Sequence, residues 1–238
     1  MKKVIGIVLG IILVVALTVG GIIFANRSET SSDHEHDYLS VRRIEVNESE
    51  NQHGVSLNNV ISTEESWYYT LVYGEVINDS NQSYSRILLT ISFYDENDEF
   101  VGYGEGAVWH VNPGSFQLFM VWADENVAIS AVSASLEVSE IDIGEYRPLN
   151  VIEFSNMQTD VTDDEVRVIG YAENNDLERH SFDFWVGAYD RHGNLVGVAA
   201  GTINNLDVAE RREFVAHNEA GNILSAVTFR AFISEFIN

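Results

Sequence analysis

The chain reads as an all-β protein: two tandem immunoglobulin-like antiparallel β-sandwich domains after an N-terminal transmembrane helix. Three observations carry this expectation. Beyond the N-terminal segment, apolar residues alternate with period two in short runs rich in Val, Ile, Tyr and Phe, and no run sustains a 3.6-residue period. The second half of the chain repeats the first at a nearly constant offset. The first 25 residues hold an unbroken apolar run with no polar face.

That run, within "MKKVIGIVLGIILVVALTVGGIIFAN", extends from Val4 to Ala25. As a helix it spans about 33 Å, close to the thickness of a bilayer's hydrocarbon core. Lys2, Lys3 and the terminal amine hold the short end in the cytoplasm, which places Asn26 and everything after it outside the cell. The competing reading is a cleaved signal peptide, with Ala25 of "IFAN" as the cleavage position and a secreted product. Signal cores are shorter, so the length of the run favours a retained anchor. Residues 1–25 are thus the cytoplasmic tip and anchor, and residues 26–39 an acidic tether. In the tether, "DHEHD" (Asp33 to Asp37) sets His34 and His36 among three carboxylates. Metals take such ligands, but a flexible pentapeptide does not pre-organise them, and a solvated tether is the expectation.

Composition narrows the function. The chain has 238 residues, 37 acidic against 13 basic, and a net charge of -24. A field of that sign repels phosphate backbones and argues against nucleic-acid partners. Every basic residue after Lys3 is Arg, which suits an alkaline or saline exterior as well as simple compositional drift. Cysteine is absent, so no disulfide, thiolate metal site or cysteine nucleophile exists. Hydrophobic content of 45% is enough for ordinary cores.

The strands follow in order. "VRRIEV" (Val41 to Val46) opens the first domain, and "WYYTLVYGEVIND" (Trp67 to Asp79) and "RILLTISFYD" (Arg86 to Asp95) continue it. "EFVGYGEGAVWHV", "FQLFMVWA" and "AVSASLEV" complete the set at Val138. At an offset of 95, Tyr94-Asp95 falls on Tyr189-Asp190, Val101-Gly102 on Val196-Gly197, Gly106 on Gly201 and Phe119 on Phe214. Upstream the offset is 96, pairing Gly74 with Gly170 and Asn78 with Asn174. The domains are therefore expected at 40–145 and 146–238, joined near "IGEYRPLN" (Ile143 to Asn150).

Each repeat carries a hairpin at this pattern. Gly193 sits at the second turn, where positive φ costs glycine little, and Asn97-Asp98 fills the same place in the first. Asp95 and Asp190 are expected to cap the turns through backbone hydrogen bonds. Gly102 and Gly197, inside the returning strand, mark a bulge or a close approach.

With "GEVINDS", "ISFYD", "FVGYGEG" and "VNPGS" in this order, residues 74–138 resemble the FxLYD domain, a small β-sandwich of membrane-anchored and cell-surface proteins. A weaker resemblance runs from "GYAENND" through "VGAYD" and "LVGVAAG" to the C-terminus. The family's leading Phe is Ile91 in one copy and Val186 in the other, its Leu is Phe93 and Ala188, and Pro113-Gly114 becomes Val208-Ala209. The resemblance implies no catalytic residue and no cofactor.

No phosphate loop, nucleophile elbow or H-E-x-x-H motif occurs, and "GYGEG" at Gly102 to Gly106 lies in an expected strand rather than before a helix. The seven histidines do not recur between the repeats. "YDENDEF" (Tyr94 to Phe100) and "TDVTDDE" (Thr159 to Glu165) offer oxygen-rich turns to calcium without the spacing of a known loop, and read as solvated hairpin tips. Trp67, Tyr68, Tyr69, Trp109 and Trp122 are possible glycan contacts, with packing the commoner fate. Site residues are therefore none for catalysis, cofactor or metal. The expected role is a non-catalytic interaction or spacer module at the bacterial cell envelope. Its partners would be the membrane, through the N-terminal helix, and an envelope protein. The alternative is a carbohydrate or cell-wall binding module using exposed Trp and Tyr.

Overall fold

The computed structural model describes residues 41–47, 53–63, 70–124, 127, 130–143, 151–163 and 165–236. Among these, fourteen strands and one 3-10 turn form an all-β fold in two sheets. No helix of the described residues is long and apolar enough to cross a membrane, and the Val4–Ala25 run, the tether and the Trp67–Tyr69 triplet lie outside them.

The first sheet contains β1 (Val41–Arg43), β2 (Glu45–Val46), β3 (Val55–Thr63), β4 (Thr70–Asn78), β5 (Tyr84–Tyr94), β6 (Phe100–Val111), β7 (Phe116–Ala123) and β8 (Ser133–Ile143). Its order is β1-β3-β4-β7-β6-β5-β8-β2. The second holds β9 (Ile152–Val161), β10 (Val166–Asn174), β11 (His180–Tyr189), β12 (Leu195–Leu206), β13 (Arg211–Gly221) and β14 (Thr228–Phe236), in the order β14-β11-β12-β13-β10-β9. Matched by sequence, β3–β8 and β9–β14 share one order, so the repeated residues sit at repeated places.

Strand β3 is absent from the sequence reading. Its "VSLNNVIST" has Asn58-Asn59 in the middle, which breaks the alternation. Asn59 takes φ 50° and the pairing with β4 slips between Asn58 and Ile61. The counterpart in β9 is Asn156, at φ 53°. Asn tolerates this left-handed region better than most residues, so a polar pair interrupts a strand without ending it. The opening "VRRIEV" is also not one strand. β1 pairs antiparallel with β3 and β2 pairs parallel with β8, so the chain crosses from one end of the sheet to the other at Ile44. Ile44, 2% exposed, donates its N–H to Val60 O at 2.9 Å and seals the first core. Among the described residues the second repeat has no such arm. Val60 and Ala134 become Met157 and Phe229 there, larger side chains packed on the second core.

Two contacts hold both repeats in the same way. The first is a buried asparagine where three strand ends meet. Asn78 Nδ2 donates to Gln82 O (2.8 Å) and Val111 O (2.9 Å), and its Oδ1 accepts from Ser80 N (3.0 Å). Asn174 Nδ2 donates to Glu178 O (2.8 Å) and Leu206 O (3.0 Å), and its Oδ1 accepts from Asp176 N (2.9 Å). Both residues are fully buried, and each satisfies carbonyls that would otherwise be stranded. The second contact is a phenylalanine ring laid over a glycine on the neighbouring strand. A Cβ on Gly74 would lie 2.6 Å from Phe119 Cε1, and one on Gly170 2.8 Å from Phe214 Cζ. Only glycine fits beneath each ring.

Asn174→Ala removes three hydrogen bonds, among them the buried one to Leu206 O. It is expected to lower stability by about 3 kcal/mol. Urea unfolding read by tryptophan fluorescence measures this, and an unchanged midpoint contradicts it.

Candidate functional site

Alternation puts one face of each sheet toward its own core and leaves an outer face to be covered or displayed. At one junction the two outer faces cover each other. From the first repeat, Ile61, Tyr73 and Leu118 (on β3, β4 and β7) meet Tyr189, Leu195, Val198 and Ala220 (on β11 to β13) in a third hydrophobic core. Met120, Leu71, Trp185 and Phe232 border it, with Tyr73 and Trp185 edge to face at 6.0 Å. Gln117, buried, donates from Nε2 to Ile233 O at 2.6 Å across the contact.

Polar groups complete this junction. Glu75 is 3% exposed, and its Oε2 accepts from Asn58 Nδ2 and Asn59 Nδ2, both at 2.8 Å. Burial pushes the Tyr189 phenol up, and the Glu75 carboxylate beside it adds to the rise. Burial likewise raises Tyr73, with Glu219 contributing. Both phenols stay neutral at any physiological pH. At the edge, Arg43 donates to Asn194 Oδ1 and Leu195 O, each at 3.3 Å, and Asn59 Nδ2 donates to Gly193 O at 3.1 Å. The β11–β12 hairpin tip is thereby docked on the other repeat.

The hairpin tips have the expected internal geometry. Asp95 Oδ1 accepts from Asn97 N (2.8 Å) and Glu99 N (3.0 Å), and Asp190 Oδ1 from His192 N (2.8 Å) and Asn194 N (2.9 Å). Asp98 and Gly193 take the positive φ, 60° and 80°. The Asn194 side-chain amide, then the Asn194 and His192 N–H groups, hold the Asp190 carboxyl down at about 2. The Glu99 and Asn97 N–H groups lower Asp95. These carboxylates thus spend their lone pairs on the turn. In the other acidic turn, Asp160 and Glu165 pair with Arg167 at 2.7 and 3.3 Å, and Glu165 also with His217 at 2.9 Å. Among the described residues, no group of three or more His, Asp or Glu is placed to hold a metal ion. The "DHEHD" segment lies outside them. Gly102 and Gly197 each follow a bulge in their own strand, at Val101 opposite Phe93/Tyr94 and at Val196 opposite Ala188/Tyr189, and "GYGEG" lies within β6.

The outer face of β6 and the end of β7 stay uncovered. Phe100 is 59%, Tyr103 50%, Trp109 37% and Trp122 52% exposed. Trp109 and Trp122, expected to pack, are therefore surface residues. Glu105 pairs in register with Trp122, which sets Tyr103 and Trp122 on adjacent strands of one face. The Arg86 guanidinium lies 5.7 Å from the Trp109 ring and pairs with Glu140 and Asp142. Sequence reading missed Phe100 and Tyr103. Strict alternation separates them, and the bulge before Gly102 returns them to the same side. The glycines at 102, 104 and 106 were the available signal, since small residues on the core side leave the opposite side to carry the bulk.

On the second repeat, Asp183, Trp185, Thr202, His217, Glu219 and Ser234 line an open groove of about 590 Å³. Within it Thr202 Oγ1 donates to Asp183 Oδ1, and His217 Nδ1 faces Glu165.

No protein-family model and no curated protein matches the chain.

Because its folded-state value lies below the ordinary carboxylate range, Asp190 stabilises the hairpin above about pH 4, and that support is lost as the pH falls through about 2. NMR titration of the Asp190 carboxyl is expected to give a midpoint near 2, rising toward the ordinary value in Asn194→Ala. A midpoint near 4 in the unaltered chain contradicts the assignment.

Proposed function

We propose that the chain is a non-catalytic, single-span cell-envelope protein whose region outside the membrane acts as an interaction or spacer module. In this reading that region is two tandem FxLYD-like, immunoglobulin-like sandwiches, anchored by the Val4–Ala25 helix. The common strand order of β3–β8 and β9–β14 supports the pairing of the repeats. The observation that carries the proposal is the third core. By burying Tyr73, Leu118, Tyr189 and Val198 between the repeats, it joins them into one stiff unit that can present a binding face. Binding then falls to surfaces the junction leaves open.

A second reading rests on one observation, the exposure of Tyr103, Trp109 and Trp122 on one repeat. Aromatic faces stack on sugar rings, and with a net charge of -24 the fitting ligand is an uncharged cell-wall or storage glycan.

The test incubates residues 37–238 with purified cell-wall sacculi and, separately, with solubilised membrane proteins of the source organism. The interaction reading expects a specific membrane protein to be retained and the sacculi to pellet alone. Co-sedimentation with sacculi that survives high salt and is lost in Trp122→Ala overturns it in favour of glycan binding.

A further inference from the structure

The junction between the repeats has an unoccupied duplicate. At the offset of 95, Tyr189, Leu195 and Val198 correspond to Tyr94, Phe100 and Tyr103. In the second repeat these positions are sealed under Ile61, Tyr73 and Leu118, with Leu195 and Val198 wholly buried. In the first repeat they carry large rings, and Phe100 and Tyr103 are exposed. Tyr94 packs edge to face on Phe100 at 6.2 Å, and the bulge at Val101 sets Tyr103 on the same side as Phe100. The adjoining tip is duplicated as well. Where Gly193 and Asn194 receive Asn59 and Arg43, the first repeat presents Asp98 and Glu99.

Resting on the reading of the chain as an interaction module, we infer that this face of the first repeat, Tyr94, Phe100 and Tyr103 with the Asp98-Glu99 tip, docks the apolar face of a β-sheet in a different protein, rimmed by arginine or lysine. The contact within the chain is the template. There an aliphatic and tyrosine sheet face covers the three positions, and Arg43 reaches the hairpin tip. Replacing Asn194 by Glu99 turns a neutral acceptor into a charged one, which favours a cationic rim more strongly. A second copy does not fit. Its own face equivalent to Ile61, Tyr73 and Leu118 is Gln158, Ile169 and Glu213, so head-to-tail stacking would set an amide and a carboxylate on the aromatic patch, with one aliphatic side chain between them. Patch-to-patch pairing of two copies would bring Asp98, Glu99 and Glu105 of each against the other's acidic rim.

The experiment places photoreactive benzoylphenylalanine at Tyr103, and separately at Leu177 on the second repeat, in the full chain expressed in the source organism. Both positions are exposed, 50% and 89%, and thermal unfolding checks that each variant folds. The expected result is one adduct at Tyr103 with another polypeptide, whose cross-linked peptide is an apolar strand. Asp98→Arg with Glu99→Arg in the same chain lowers its yield roughly tenfold. No adduct at Tyr103, an adduct with a second copy, or one with cell-wall glycan overturns the inference. An adduct at Leu177 alone overturns it while leaving the interaction reading intact, whereas no protein adduct at either position removes both.

Discussion

Two sheets, each with a complete core of its own, also press their outer faces together, and the rest of the molecule is arranged around that contact. Large side chains on β4, β7, β11 and β12 that would otherwise face water are buried there, Tyr73, Leu118, Tyr189 and Val198 among them. Burying each such side chain contributes about 1.5–3 kcal/mol. The contact also imposes a cost, because Glu75 and two phenols leave water with it. Asn58 and Asn59 offset the cost at Glu75 by hydrogen-bonding its carboxylate. Asn59 does this from a left-handed backbone, while the same side chain reaches Gly193 O on the other repeat. One strained asparagine therefore serves strand β3, the buried acid and the junction together.

The repeats diverge where the junction and the chain's path treat them differently. Ile44 of the arm fills only the first repeat's core, and Met157 and Phe229 supply bulk at the corresponding place in the second. Phe100 and Tyr103 remain outside, whereas Leu195 and Val198, shorter and aliphatic, lie beneath a neighbour. Features internal to each repeat stay the same: the buried asparagines 78 and 174, the ring over Gly74 or Gly170, and the turn bonds of the aspartate in each hairpin. Residues under fold constraint are preserved between the halves, and most junction residues are not, with Tyr189 and its counterpart Tyr94 the exception.

This division also explains what could be read from residue order. Tyr94-Asp95 and Tyr189-Asp190 were legible because a hairpin is local, and its turn chemistry is written in consecutive residues. The pairing of Asn78 with Asn174 was visible as a register match, although its role depends on carbonyls far along the chain at Val111 and Leu206. Strand β3 was hidden because Asn58-Asn59 imitates a turn. The third core was hidden for a deeper reason. An outward-facing Tyr73 or Leu118 looks like a core residue of its own sheet until a second sheet is laid against it. Trp109 and Trp122 show the converse, since hydrophobicity alone does not tell a buried ring from a displayed one.

Differential scanning calorimetry of residues 37–238 tests the shared core most directly. If the repeats are held as one body, they unfold in a single transition whose calorimetric and van't Hoff enthalpies agree, and Leu118→Ala splits it or broadens it. Two resolved transitions in the unaltered chain, with Leu118→Ala shifting only the first repeat's, would contradict the account.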